Sequence, residues 1–105
     1  MSDTEIDPVM VTMTFQTESA AELTSVLAKY VVLSRNHPGS RNIDLVSSVT
    51  NPGRLLIVEK WDSSEAQQAH FDSDDMVEMA QSCQGLLTKP PTIDLHEGIS
   101  MHDLA

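Results

Sequence analysis

The stretch LLIVEKWDSSEAQQAH, residues 55–70, is the part of the sequence that predicts the fold most directly. It opens with a run that is apolar on both alternating faces, which is typical of a strand in a sheet covered on both sides. A helix follows at once, because Asp62 and Glu65 have the spacing of a capping box. On the helical period, His70 shares a face with small residues. We therefore expect a helix packed closely on a sheet, with His70 pointing into a small ligand pocket.

Strands and helices alternate on both sides of this stretch. The order β-α-β-β-α-β, with the second helical part divided in two, is the ferredoxin-like split βαβ arrangement. The sequence thus predicts an α+β domain with a four-stranded antiparallel sheet over residues 9–97, between a flexible lead at 1–8 and a tail at 98–105. The predicted elements are strands at residues 9–16, 40–50, 54–61 and 92–97, and helices from the cap Ser19 to Pro38-Gly39, from Ser63 to Asp72, and from the cap Ser73 to about Leu87.

The predicted sheet has more apolar surface than its own helices can cover. Helices of one chain cover one face, whereas the strands at residues 9–16 and 54–61 carry apolar residues on both. An uncovered apolar face of this kind marks an interaction surface. The simplest partner is the same face of a second copy, so we expect a homodimer through the sheet faces with a barrel-like space between them.

The composition restricts the partners and the compartment. The net charge is −10, from 6 Lys+Arg against 16 Asp+Glu, which argues against nucleic acid or an anionic membrane as a partner. No apolar run approaches the ~18 residues of a membrane span, and the acidic residues 1–8 do not resemble a signal peptide. The single cysteine, Cys83, excludes an intrachain disulfide, so we expect a cytoplasmic protein. The histidines lack metal-ligand spacing.

Taken together, these features resemble the antibiotic biosynthesis monooxygenase family of small dimeric α+β barrel proteins. The resemblance covers about residues 9–97 and rests on the segments VMVTMTF (9–15), SRNHPGSRNIDL (34–45), LLIVEKWDSSEAQQAHF (55–71) and TIDLHE (92–97). It implies a homodimer, and the better-characterised relatives oxidise electron-rich phenols or hydroquinones with O2 and with no metal or flavin cofactor. Other relatives degrade haem, and many have no known activity.

Two departures from the family pattern bear on the mechanism. The family frequently has a second histidine five residues after the position of His70, and this chain has Asp75 there. A mechanism that uses that histidine pair is therefore not expected. The haem-degrading branch has a working tryptophan where this chain has His70, and its axial histidine falls near Ala80. Haem degradation is accordingly disfavoured.

His70 and Trp61 are the candidate catalytic residues. A histidine suits the removal of a phenolic proton, after which the anion passes an electron to O2. The Trp61 indole suits hydrogen bonding to a substrate oxygen and stacking on an aromatic ring. Each residue also has a structural interpretation, His70 as a hydrogen-bonded packing residue and Trp61 as a core or interface aromatic. The alternative function is thus a non-catalytic dimeric module that binds a small ligand, and the environment of His70 distinguishes the two.

Soft, adaptable side chains are expected to line the pocket for a small aromatic substrate and O2. The predicted pocket residues are Met13, Phe15, Met76 and Met79, with Arg41 as a candidate donor to an anionic intermediate. The alternative for the methionines is that they simply belong to the core.

Glu59 shares a strand face with Trp61 and needs a partner if it is buried. Arg41, Arg54 and Lys60 are the cationic candidates. We expect a salt bridge at a sheet edge or at the interface.

Overall fold

The computed structural model of the protein describes residues 8–101. Its elements are strand β1 (Val9–Gln16), helix α1 (Ala20–Ser34), strands β2 (Ser40–Ser47) and β3 (Arg54–Trp61), helices α2 (Ser64–Phe71) and α3 (Asp74–Ser82), and strand β4 (Thr92–Glu97). The predicted order of elements, with its second helical part divided in two, is confirmed. Within the described part of the chain, each helix is too short or too polar to cross a membrane. The predicted lead and tail lie mostly outside the described residues.

The strands form one antiparallel sheet in the order β2-β3-β1-β4. The central strands β1 and β3 pair from Val9 opposite Trp61 to Gln16 opposite Arg54. Alternate residues of both strands are buried and form the core together with the apolar stripe of α1. This is the predicted α+β ferredoxin-like fold, and its helix-covered face is the one that holds the candidate site.

The opposite face of the sheet mixes polar and apolar side chains. Thr12 and Val58 lie opposite each other at its centre and are half-buried. Val46 lies near the β2 edge and is 47% exposed. We call this surface the open face. It is the surface through which the homodimer is predicted to form.

α2 is capped by Ser63, so the predicted capping box that begins at Asp62 is wrong. The Ser63 hydroxyl accepts a hydrogen bond from the N–H of Ala66 at 3.1 Å. The Asp62 carboxylate instead accepts from the Arg41 guanidinium at 2.6 Å. A long-range ion pair therefore outcompetes the local cap that the spacing suggested.

β2 ends at Ser47 rather than at Thr50. The hydroxyl of Ser48 accepts hydrogen bonds from the N–H groups of Thr50 and Asn51 at 3.2 and 2.9 Å. These bonds turn the backbone away from the strand direction, as serine commonly does at the start of a turn.

α3 is capped by Ser73 as predicted, but it ends at Ser82 rather than near Leu87. Gly85 has a φ of 82°, in the left-handed region that closes many helices. Leu87 lies beyond this turn and forms an isolated bridge with Thr17 of the sheet end.

Candidate functional site

A series of hydrogen-bonded side chains runs from the core to the surface on the helix-covered side of the sheet. Tyr30 Oη lies 2.5 Å from Glu59 Oε2 and 2.6 Å from His70 Nε2. His70 Nδ1 lies 2.9 Å from His37 Nδ1, and His37 Nε2 lies 2.7 Å from Asp75 Oδ2. We call Glu59, Tyr30, His70, His37 and Asp75 the polar chain. Glu59 is 1% exposed, whereas the Asp75 side chain is 29% exposed, so the polar chain connects the core with the solvent.

Each member of the polar chain comes from a different segment. Glu59 lies on the helix-covered face of β3, and Tyr30 lies on the buried stripe of α1. His70 is buried on α2, and Asp75 is in the first turn of α3. His37 lies in the turn after α1, where its N–H donates to Ser34. The polar chain therefore depends on the packing of all these elements.

The turn after α1 approaches α2 closely, and Gly39 makes this possible. Its φ is 84°, and a Cβ atom at this position would lie only 2.4 Å from the Cβ of Ala66. The carbonyl of Gly39 also accepts a hydrogen bond from the N–H of Asp62 at 2.8 Å. Glycine alone fits both the left-handed conformation and the contact. The Gly39 turn thus places His37 against His70.

Trp61 completes the buried part of the site. Its indole N–H donates to Glu59 Oε1 at 3.0 Å. Its ring stacks on His70 with a centroid separation of 4.5 Å and an angle of 29° between planes. Glu59 is therefore hydrogen-bonded in the core by Tyr30 and Trp61, and the predicted salt bridge at an edge or interface is wrong.

Burial governs protonation in the core. It raises the pKa of Glu59 above 4.5, and the hydrogen bonds from Tyr30 and Trp61 oppose this rise. Burial, with the neighbouring His37 as a second cause, lowers the pKa of His70 from 6.5 to about 4, and Asp75 opposes this change. Burial, reinforced by Glu59, raises the pKa of Tyr30 above its ordinary value. A neutral imidazole and a neutral phenol are thus the favoured forms of His70 and Tyr30 at neutral pH.

Predicted site residues line two cavities, and a further cavity of about 220 Å³ lies beside Tyr30 and Asp75. The first, of about 290 Å³, is lined by His37, His70 and the small residues of α2 and the Gly39 turn, and we call it the histidine cavity. The second, of about 140 Å³, is lined almost entirely by apolar side chains, and we call it the methionine cavity. The methionine cavity has Met13, Phe15, Met76 and Met79 in its wall, with Ala80, Cys83, Leu87, Pro91 and Ile93.

The structure separates the predicted site residues into three places. The four predicted apolar pocket residues line the methionine cavity together. His70 lines the histidine cavity, and Trp61 packs beneath His70 in the core. Arg41 is not in the wall of the histidine cavity. It pairs with Asp62, which is in that wall. The two cavities share no lining residue.

Sequence reasoning missed the roles of Tyr30, Glu59 and His37 in this site. Tyr30 lies on the buried stripe of α1, where its hydroxyl needs a partner. Glu59 shares a strand face with Trp61, which was a signal for a buried carboxyl group. His37 directly precedes Pro38-Gly39, and its contact with His70 depends on tertiary packing across 33 residues. A histidine pair therefore exists, but His37 supplies the second ring from another part of the sequence.

Within residues 8–101, no three His, Cys, Asp or Glu side chains are arranged to hold a metal ion. The side chains of the polar chain can transfer protons and form hydrogen bonds next to the histidine cavity.

Comparison with known proteins gives both a family and a fold. A family model described as "Antibiotic biosynthesis monooxygenase" matches residues 9–82, more than half of the chain. A structure from Mycobacterium tuberculosis is 24% identical with a TM-score of 0.82, and the match covers 90% of this chain and 97% of that chain. No curated protein matches the sequence.

Two further solved structures share the fold. A protein of unknown function from Bacteroides thetaiotaomicron is 14% identical with a TM-score of 0.81, over 90% of this chain and 100% of that chain. A variant of SnoaB from Streptomyces nogalater, described as a cofactor-independent oxygenase, is 18% identical with a TM-score of 0.81, over 90% and 96% of the two chains.

Proposed function

Because the chain belongs to the antibiotic biosynthesis monooxygenase family, we propose that it is a cofactor-independent monooxygenase that oxidises a phenolic or hydroquinone compound with O2. The description of SnoaB as a cofactor-independent oxygenase supports the same reaction class. The observation that carries the proposal is the wall of the histidine cavity. Two hydrogen-bonded imidazoles, His37 and His70, line a space of about 290 Å³.

The proposed reaction begins when a phenolic hydroxyl enters the histidine cavity. His70, acting with His37, removes the phenolic proton, and the anion passes an electron to O2. One oxygen atom then bonds to a ring carbon. The other leaves as water with the phenolic hydrogen and the hydrogen of that carbon, so a phenol gives a quinone. In this scheme Trp61 fixes the plane of the His70 ring by stacking on it.

Arg41 and the methionine cavity have supporting roles in the proposal. Arg41 holds Asp62 at the rim of the histidine cavity and supplies positive charge near an anionic intermediate. The methionine cavity, apolar and small, suits O2 or the apolar part of the substrate. It is also the alternative site for the whole substrate.

A pair of matched variants separates the two cavities. Ala69 lines the histidine cavity and Ala80 lines the methionine cavity, and both are exposed helical alanines. We expect metal-free wild-type protein to consume O2 with some members of a panel of phenols and hydroquinones. Ala69→Leu should lower this rate at least tenfold, while Ala80→Leu should retain it. A loss of activity in Ala80→Leu, with activity retained in Ala69→Leu, would indicate that the substrate binds in the methionine cavity.

A non-catalytic binding module is the second candidate function. It is favoured by the fact that both ring nitrogens of His70 are already hydrogen-bonded, as in a structural histidine. No O2 consumption above the buffer rate with any compound, while the same compounds bind in calorimetry, would establish this function in place of the monooxygenase. If turnover occurs, His70→Ala should abolish it, with circular dichroism as the control for folding.

We also propose that the protein is a homodimer through the open face. Val58 lies at the centre of that face, and Val32 is an exposed valine on α1. Sedimentation equilibrium should show a dimer that Val58→Lys dissociates and Val32→Lys leaves intact. A monomeric wild-type protein would contradict the proposal.

A further inference from the structure

The polar chain has four hydrogen-bonded links, and each link needs one hydrogen. The links join Glu59 to Tyr30, Tyr30 to His70, His70 to His37, and His37 to Asp75. At neutral pH the ordinary forms of one tyrosine and two histidines supply three hydrogens, and two carboxylates supply none. The polar chain is therefore one hydrogen short if every residue keeps its ordinary form. One additional proton is needed to complete all the links.

The direction of the links shows where the additional proton can reside. Asp75 is partly exposed, and as a carboxylate it can only accept, so His37 carries its hydrogen on Nε2. A neutral His37 then accepts at Nδ1 from His70, whose Nε2 in turn accepts from the Tyr30 hydroxyl. The Tyr30 oxygen is left to accept from Glu59, which must be protonated. Every link is then filled, with the proton on the buried carboxyl group.

A second arrangement contains the same number of protons. If Glu59 is ionised, Tyr30 donates to it, and His70 donates to Tyr30 through Nε2. His37 then donates to both His70 and Asp75 and is an imidazolium. The two arrangements differ by the shift of one hydrogen along three of the four links, since His37 donates to Asp75 in both. The intermediate form, with the proton on His70, is disfavoured because that ring is buried.

We infer that the polar chain is a proton relay, in which the one additional proton moves between Glu59 in the core and His37 near the surface by shifts of hydrogen along the links between them. A fifth hydrogen would put two hydrogens into one link, so the relay holds no more than this one additional proton. Within the proposed reaction, on which this role depends, the relay that lacks the additional proton takes up the substrate proton at the link between His70 and His37, holds it at Glu59, and then releases it to water through His37 and Asp75. Tyr30 and Glu59 are then positioning residues that set the basicity of the two imidazoles.

The charged groups around the relay are few among the described residues. Lys29 on α1 and Glu78 on α3 flank its surface end and pair with each other at 2.6 Å. In the core, His70 Nε2 lies 3.8 Å from Glu59 Oε2, and both groups lie within hydrogen-bonding distance of Tyr30 Oη, which also lines a cavity with Asp75. Glu78 therefore provides a matched carboxylate on the same helix as Asp75 that lies outside the relay.

The relay is tested by NMR on the whole protein without any substrate. The ionisation of Glu59 is followed by the ¹³C signal of its carboxyl group, and the imidazole nitrogens of His37 and His70 are followed by ¹⁵N signals. In the wild type, both rings should respond at the same pH as the Glu59 carboxyl group. In Tyr30→Phe, which removes only the hydroxyl that joins two links, the rings should no longer respond at that pH. The relay would be overturned if the imidazole signals of the wild type did not change over the pH range in which Glu59 ionises.

The surface end of the relay gives a second measurement. Asp75→Asn removes both the negative charge and the acceptor-only group, so the midpoint of Glu59 ionisation should fall by about one pH unit. Glu78→Gln removes an equal charge from α3 and should shift this midpoint less. If the difference between the two variants persists unchanged in the Tyr30→Phe background, the coupling is purely through space and the relay is refuted.

Turnover adds a readout that separates the relay from the proposed function. If the wild type oxidises a phenol, Tyr30→Phe should lower kcat by about 100-fold with KM unchanged, since the relay contributes to proton transfer rather than to binding. An unchanged kcat would overturn the catalytic role of the relay. If the wild type lacks turnover altogether, the proposed function fails, and the two NMR measurements still decide whether the relay exists.

Discussion

The buried imidazole of His70 should make the folded protein sensitive to acid. Burial, with His37 as a second cause, lowers the pKa of this ring from 6.5 to about 4. Between these values the unfolded chain binds a proton that the folded protein does not, so the free energy of unfolding falls as the pH falls. The gap between 6.5 and about 4, at about 1.36 kcal/mol per pH unit, corresponds to about 3 kcal/mol. This stability is present above pH 6.5 and is lost below about pH 4.

The assay is urea unfolding followed by far-UV circular dichroism from pH 4 to pH 7.5. Wild type is compared with His70→Gln, which cannot be protonated, and with His96→Gln as a control. His96 is exposed and its ring contacts Thr12 at 3.1 Å. The difference in unfolding free energy between wild type and His70→Gln should shrink by about 3 kcal/mol from pH 7 to pH 4. His96→Gln should follow the wild type throughout.

The buried carboxyl group of Glu59 changes the free energy of unfolding with pH in the direction opposite to that of His70. Its pKa is raised by burial, so the folded protein holds a proton above pH 4.5 that the unfolded chain releases, and this contribution decreases as the pH rises. Glu59 is present in wild type and in His70→Gln, and its ¹³C carboxyl signal in both proteins gives the correction for any difference in its ionisation. Parallel curves for these two proteins between pH 4 and 6.5 would refute the reasoning about His70.

Three further predictions concern local structure. Gly39→Ala should lower the free energy of unfolding in urea by about 3 kcal/mol, because it adds a steric clash to an unfavourable φ. Gly85→Ala has a similarly unfavourable φ but open space around its Cβ, so it should lower the free energy of unfolding by only about 1 kcal/mol. Ser63→Ala removes the hydrogen bond that caps α2 and should lower the free energy of unfolding by about 1 kcal/mol. Ser19→Ala should leave it nearly unchanged, because the Ser19 side chain makes no capping bond to α1. Equal losses in the two variants would contradict this prediction. Burial raises the pKa of the Cys83 thiol, so a thiol reagent should label it at the rate of unfolding, and rapid labelling of the folded protein would count against its burial.

The fold was predictable because its signals are local. The apolar residues of the strands at 9–16 and 54–61 can be recognised from neighbours in sequence, and the structure confirms both strands. The error at the start of α2 arose because a distant residue decided the outcome. Asp62 failed as a cap because Arg41, 21 residues away, binds its carboxylate.

The site was predictable only in part for the same reason. Two of the residues chosen from sequence, His70 and Trp61, do stack on each other. Their partners come from elements whose packing no local pattern encodes. Tyr30 and Glu59 lie 29 residues apart in sequence and share a hydrogen bond in the core. A buried carboxyl group beside a strand-end tryptophan can be recognised from sequence, but the group that satisfies it cannot.

The origin of the polar chain in separate segments has a consequence for the order of folding. The closest hydrogen-bonded members in sequence are 29 residues apart, and the others are 33 to 40 residues apart. Contacts of this separation form late, after the loops between them have closed. Until then Glu59 is hydrated and ionises as an ordinary carboxyl group. The raised pKa of Glu59 is therefore acquired only in the final docking step, and a chain trapped before that step would have secondary structure without the site.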